Sequence, residues 1–373
     1  MFEITNRWLS NELDPVDPLQ ITRIITYDSF VAWERLLLFI KELNPFLTNL
    51  TQFKRIATKN ELKDFICNAT DIDNSRVQHL ISEYMKLPEF YYVGSPLAAL
   101  AYYDNQGHMT GMCRFKRVKR IAEKASRYAA LHIADKVRLT AARLATQIGK
   151  GNENAKELVE QAEKEHLLEF KRNGISLPAA NMTIKDVLGL KLIKNGISEE
   201  QLESVISGLP GATIIEKEVH TGSYNAVHYV VELTVDLDYM SKRFKSRPPS
   251  DAYRYRGLPA NNLSRDFEWF LYSGSNTVQV DLIFTTIEEL VESEIGRSMH
   301  ETRIFKQRRQ QNVYGNITIN IEYIIEYLLA VGMSPTKQID DIPIKIWGRY
   351  LPDTLGYNIR KLYELPEYSI VDY

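Results

Sequence analysis

The chain predicts an α+β protein, and three observations carry that prediction. Apolar residues recur at helical spacing from about 21 to 100, two Ala/Leu-rich helical runs follow, and beyond 183 short alternating strands interleave with helices. At 373 residues there is length for two or three domains.

Taken in order, residues 1–20 hold Pro15 and Pro18 among acids and read as an irregular lead-in. Phe30, Trp33, Leu36, Leu37 and Ile40 then mark a helical face, as do Leu62, Phe65 and Ile66, then Val77, Leu80, Ile81 and Tyr84. The region 1–110 is expected to be a helical accessory region, broken near Leu87-Pro88. Segment 114–127 changes character, because Arg114, Lys116, Arg117, Lys119, Arg120, Lys124 and Arg127 face the single acid Glu123. Residues 129–148 and 154–170 read as a helical hairpin turned at Gly149-Lys150-Gly151-Asn152, an insertion spanning 125–172. Gly174 and Pro178 punctuate the chain before a strand at 187–193 and a helix at 199–209 that starts on Ser198 with an acidic first turn. Strands follow at 213–219, 227–235 and 277–284, then a helix at 287–307. Residues 237–276 read as a long polar loop carrying Lys242, Arg243, Lys245, Arg247, Arg254 and Arg256 around Pro248-Pro249. The last segment, 311–373, is expected to hold a buried helix at 317–331 and a proline-bearing surface tail.

Bulk composition excludes little and points nowhere by itself. The content of 44% hydrophobic and 25% charged residues is that of an ordinary globular protein. A formal net charge of −2 gives no global pull toward nucleic acid or membrane. No stretch approaches the ~20 apolar residues needed to span a bilayer, so no membrane partner is expected. Cys67 and Cys113 lack metal-type spacing and make no disulfide framework, which suits a reducing, cytoplasmic setting. The N-terminus shows no basic segment followed by an apolar one. Oligomeric state is not encoded legibly, and a homo-oligomer stays open.

The residues that can carry chemistry lie mostly beyond 183. Asp186 stands at the mouth of a short apolar strand, beside Gly189; it either holds Mg²⁺, which requires hard oxygen ligands, or caps a turn. Gln279 and Asp281 are two apart in a strand and share a face, which must look toward solvent or a ligand, while Val278, Val280 and Leu282 meet a helix layer. Tyr224, after Gly222-Ser223, either stacks on a nucleobase or packs at a strand edge. His228 is a structural, hydrogen-bonded histidine or a catalytic one. The basic run 114–127 is a solvated helix face or a source of triphosphate-binding cations.

The order of these pieces resembles the synthetase domain of the RelA/SpoT family. That family shows a basic R-x-K segment ending in a lysine, then a D-x-x-G-x-R strand and a G-Y-x-x-x-H turn. A V-E-I-Q strand and a helix with E-x-G…H complete the set. Arg117-Val118-Lys119 with Lys124 is similar to the first element; Asp186, Gly189 and Lys191 to the second; Tyr224 and His228 to the third. Gln279 and Asp281 fall on the fourth, and Glu294, Gly296 and His300 on the fifth. The match covers about 183–306, with an extension to 114.

The resemblance implies a mixed β-sheet, nucleotidyltransferase-like core over 111–310. It implies transfer of pyrophosphate from ATP to the 3′-hydroxyl of GDP or GTP, giving the (p)ppGpp alarmones of the stringent response. Asp186 would ligate Mg²⁺ together with Asp281, Arg117, Lys119, Lys124 and Lys191 would bind phosphates, and Tyr224 would stack on the acceptor base beside His228. Asp281 and Gln279 would be the catalytic pair.

Three departures mark this chain. Lys191 replaces an arginine and so loses its bidentate fork. Ser223 separates Gly222 from Tyr224. The strand reads Gln279-x-Asp281 where the family has Glu-x-Gln, which moves the surviving carboxylate by two strand rises, about 6.6 Å. Two alternatives follow: a catalytically degenerate nucleotide-binding regulator, or a relative that pyrophosphorylates the 3′ end of tRNA, its RNA held by the basic 242–256 stretch with Tyr253 and Tyr255. No His-Asp dipeptide occurs, so alarmone hydrolysis is not expected.

Overall fold

In the computed structural model the described residues are 2–295 and Ile325, apart from 11, 13, 48–49, 51, 71–73, 87–95, 149–154, 175–176, 179–186, 223, 247–257 and 259–260. Two compact units emerge: one from the described residues of 1–22 and 118–184 with Ile325, the other from those of 23–117 and 185–295.

The first unit is helical. The lead-in expected to be irregular forms α1 (Phe2–Leu9), and α2 (Asp17–Leu47) already begins within it. Ile4 and Trp8 are one helical turn apart and both buried, a pattern that the prolines obscured. Pro18 falls in the first turn of α2, where a missing N–H costs nothing. The buried Asp17 carboxylate accepts from the Trp8 indole at 3.1 Å and pairs with Arg7. The expected hairpin forms as α5 (Arg117–Ile148) and α6 (Ala155–Asn173). Gly174 ends α6 at φ +70°, where a Cβ would come within 2.4 Å of the Leu9 carbonyl oxygen, so only glycine fits.

The second unit is built on one mixed seven-stranded sheet in the order β1-β2-β3-β4-β7-β6-β5. Its strands are β1 (Gln52–Thr58), β2 (Pro96–Tyr103), β3 (Met109–Phe115), β4 (Leu188–Ile193), β5 (Ala212–His220), β6 (Ala226–Thr234) and β7 (Thr277–Thr285). Only β4 and β7 pair in parallel; every other neighbour is antiparallel. The last four strands are those the sequence predicts. The first two were not expected and interrupt a stretch, 21–100, whose described residues are otherwise mainly helical as expected. β2 reads Pro-Leu-Ala-Ala-Leu-Ala-Tyr-Tyr, and alanine is the best helix former, but Ala99 and Ala101 on one face and Ala98 and Leu100 on the other are all buried. Burial on both faces overrides propensity. A tight turn then leads into β3, with Asp104 accepting from the Gln106 and His108 amides at 2.9 Å each. The helices that do match expectation here are α3 (Lys59–Asn68) and α4 (Ser75–Lys86).

α7 (Glu199–Gly208) starts as expected on Ser198, whose hydroxyl accepts from the Gln201 amide at 3.2 Å in a capping box. The loop expected over 237–276 is corrected, since it holds α8 (Leu237–Lys245) and α9 (Leu263–Ser273). Phe244 and Phe267 from these helices stack at 3.9 Å and meet Tyr27 and Phe30 of α2 edge-on, and that aromatic burial outweighs the segment's polar average. The helix after β7 is described as α10 (Ile287–Glu294). The helix expected at 317–331, the tail, and the break near Leu87-Pro88 lie outside the described residues, save Ile325, which is helical and buried.

The two faces of the sheet differ. One is apolar across its central strands: Phe115, Leu190, Leu282 and Tyr229 are buried on it, with Trp33 of α2 against Phe115 and Glu203 of α7 accepting from the Tyr229 hydroxyl at 2.9 Å. The other is split. Over β1–β3 it packs Ile56, Ala99, Ala101 and Met112 beneath α3, α4 and α10. Across β4, β7 and β6 it turns polar, and there the candidate site lies.

Candidate functional site

Strand register decides what meets on the polar face. Gly189 of β4 is paired with Arg114 of β3 on one side and with Asp281 of β7 on the other. Asp281 is in turn opposite Val230 of β6, Gln279 is opposite Glu232, and Ile283 is opposite both Lys191 and His228. Because side chains alternate, Arg114, Gly189, Lys191, Gln279, Asp281, His228 and Glu232 all share this face. The expected cofacial placement of Gln279 and Asp281 holds, with Val280 and Leu282 buried behind them.

At the centre of the row is a gap. A Cβ placed on Gly189 would meet no atom of the described residues within 4 Å, so among them the sheet presents an open notch between the Arg114 and Asp281 positions. The Lys191 ammonium lies within electrostatic reach of Asp281.

One rim of the notch is closed by an ion-pair cluster. Glu294, at the C-terminal end of α10, reaches Arg114 Nη2 with Oε2 at 2.5 Å and Lys191 Nζ with Oε1 at 2.6 Å. Lys191 also donates to Ser293 Oγ at 3.2 Å. All three charged side chains are only 13–14% exposed. Burial alone would raise the Glu294 carboxyl, but the Arg114 guanidinium and the Lys191 ammonium outweigh it and hold Glu294 well below the usual carboxylate range. Burial pulls Lys191 down, against the opposing pull of Glu294.

The other rim is aromatic. Tyr224 precedes β6, and its ring lies 6.3 Å from that of His228, edge to face. Burial, followed by the charges of Glu294, Glu289 and Asp281, pushes the Tyr224 phenol up to about 12, so it stays protonated. His220 of β5 contacts His228 at 4.3 Å between ring centroids. Burial, His220 and Lys191 together drive the His228 imidazole down to about 4, and its buried Nε2 reaches no hydrogen-bond partner. His228 is therefore a neutral ring at pH 7. Its imidazole NMR signals are expected to hold still from pH 8 to 5. As pH drops below the ordinary histidine value of about 6.5, the unfolded chain takes up a proton that the folded chain refuses, so this residue lowers stability progressively toward pH 4. An ordinary titration near 6.5 would contradict the burial assigned to it.

Of the residues the sequence singles out, Lys191, Tyr224, His228, Gln279 and Asp281 are brought together. Lys124 is exposed on α5 in the other unit. Asp186, Gly296, His300 and the side chains of Arg117 and Lys119 lie outside the described residues. The expected Mg²⁺ pair thus has one described member, Asp281. Among the described residues no group of three or more His, Cys, Asp or Glu side chains is placed to hold a metal. Glu294, named in the fifth element, and Arg114, named within the basic run, join the residues brought together, and one participant was missed. Glu232 faces the site and accepts from the Gln279 amide at 3.5 Å, and only the β6–β7 register reveals it. Arg114 looked like the start of a basic helix, but it is a strand residue one position from the end of β3.

No protein-family model, curated protein or solved structure matches this chain. The site must therefore be read from its own chemistry. It presents the Asp281 and Glu232 carboxylates, one amide, one neutral imidazole and a protonated phenol around a notch rimmed by two cations. Among the described residues no helix is long and apolar enough to cross a membrane.

Proposed function

We propose that the polar face of β4, β7 and β6 binds a nucleoside triphosphate, and that the protein transfers pyrophosphate from ATP to the 3′-hydroxyl of GDP or GTP on a nucleotidyltransferase-like core. The observation that carries the proposal is the register Arg114–Gly189–Asp281, which sets a notch on β4 between a cation on β3 and a carboxylate on β7. Tyr224 and His228, both uncharged at neutral pH, offer an apolar ring surface beside it that suits a base.

In that reaction the acceptor 3′-oxygen attacks the β-phosphorus of ATP, the bond from that phosphorus to the α–β bridging oxygen breaks, and AMP leaves with the bridging oxygen. The 3′-hydroxyl proton passes to the Asp281 carboxylate. Asp281 with Asp186 would hold Mg²⁺, which neutralises phosphate charge when bound; hard oxygen ligands and few protein donors suit that ion. The Lys191 ammonium adds positive potential on the adjoining strand. Incubating the protein with Mg²⁺, ATP labelled in its β- and γ-phosphates, and GDP or GTP tests the reading. Label should move to the guanine nucleotide with AMP released in equal amount, and label that stays in ATP would overturn it.

A second reading, nucleotide binding without turnover, is favoured by Gln279, which stands where the family resembled has its acid and spends its amide on Glu232. Turnover confined to Gln279→Glu, with wild type binding ATP equally well, would select it. The tRNA acceptor draws less support, because Arg243 and Lys245 of α8 pair with Glu34 at 3.0 Å and Glu268 at 2.5 Å, leaving fewer cations to meet an RNA backbone.

A further inference from the structure

We propose that Arg114 and Lys191 form a binding site for a phosphate-bearing anion, and that the Glu294 carboxylate occupies it in this structure as an internal competitor, latching α10 onto the sheet.

The first ground is a count of donors. A carboxylate has two oxygens, and Glu294 spends one on Arg114 Nη2 and the other on Lys191 Nζ. Arg114 Nε is left buried with no hydrogen-bond partner. A guanidinium presents its donors as a fork that two oxygens of one anion can fill. A phosphate group, with three or more oxygens, can fill that fork through Nε and Nη2 and still reach Lys191. The donor set suits an anion with more oxygens than Glu294 has.

The second ground is where Glu294 sits. It is the last residue of α10, where the helix dipole places partial negative charge. An acid there is disfavoured by its own helix, and the two cations offset that cost. The contact is thus held from one side only, and an anion that satisfies the cations better can displace it. Access exists, because Gly189 between Arg114 and Asp281 leaves the notch open. A buried arginine donor left without an acceptor is costly, and filling it gives the exchange its driving force.

The proposal rests on the nucleotide reading only for the source of the phosphate. Inorganic pyrophosphate is therefore the probe, since its binding needs no base, acceptor or transfer step. In calorimetry, Glu294→Gln should bind pyrophosphate on the order of tenfold more tightly than wild type, and Arg114→Met should lose binding. Should Glu294→Gln fail to fold, hydrogen exchange on the wild-type protein serves in its place. Pyrophosphate should then speed exchange at the amides of Val291 and Ile295 at the end of α10 and leave those of α7 unchanged. Equal affinity in wild type and Glu294→Gln, binding that survives Arg114→Met, or unchanged α10 exchange at saturating pyrophosphate would each overturn the latch. Pyrophosphate binding without label transfer would leave the latch standing and sink the transferase. Transfer with no Arg114-dependent pyrophosphate binding would do the reverse.

Discussion

Glu294→Ala is expected to lower the unfolding free energy by about 3–5 kcal/mol, the range for removing one partner of a buried ion pair. Its loss would strand two cations, Arg114 and Lys191, each only 13–14% exposed and reached by opposite oxygens of the same carboxylate. The effect should fade in acid. The carboxyl is held well below its ordinary value in the folded chain, so it contributes stability above the unfolded value of about 4.5, and that contribution is lost as pH falls through the lower folded value. Urea midpoints for wild type and variant should differ most near neutrality and converge at the acid end. A shift below about 1 kcal/mol at pH 7 would mean that the cluster is solvated.

Asp281→Asn is expected to reduce label transfer at least about a hundredfold, the lower range for losing a general base. The side chain is partly buried on an open face rather than packed in the core, so stability should change by about 1 kcal/mol or less. Transfer at wild-type rate in Asp281→Asn would remove this residue from the chemistry. A large stability loss would instead make it part of the scaffold. The two variants separate two roles on one face, since Glu294 fixes α10 and two cations while Asp281 looks into the notch.

The later strands were legible because they alternate between an apolar face and a polar one. Val280 and Leu282 against Gln279 and Asp281 is a pattern that only a half-covered strand produces. β2 was not legible, because an alanine-rich run buried on both faces carries no period of two and imitates a helix. α1 hid behind two prolines, and α8 and α9 hid within a charged stretch whose few aromatics turn out to be stacked. In the site, Lys191, Tyr224, His228, Gln279 and Asp281 could be named from order along the chain. Their pairings could not. Arg114 and Glu294 were named singly, but their pairing across 180 positions was not, and Glu232 meets Gln279 only through an antiparallel register that no local pattern encodes. Long-range pairing of this kind is set by the tertiary fold.

If the notch above Gly189 receives nucleotide, filling it should block binding. A Cβ at this position meets no atom of the described residues within 4 Å, so Gly189→Val is expected to fold, and a β-branched residue suits a strand. Calorimetric titration with ATP and Mg²⁺ should show affinity at least about tenfold weaker than wild type, with an undiminished thermal midpoint, because the added methyls take the space the ligand needs. Unchanged affinity in a folded Gly189→Val protein would contradict the account and place nucleotide, if it binds at all, elsewhere on the chain.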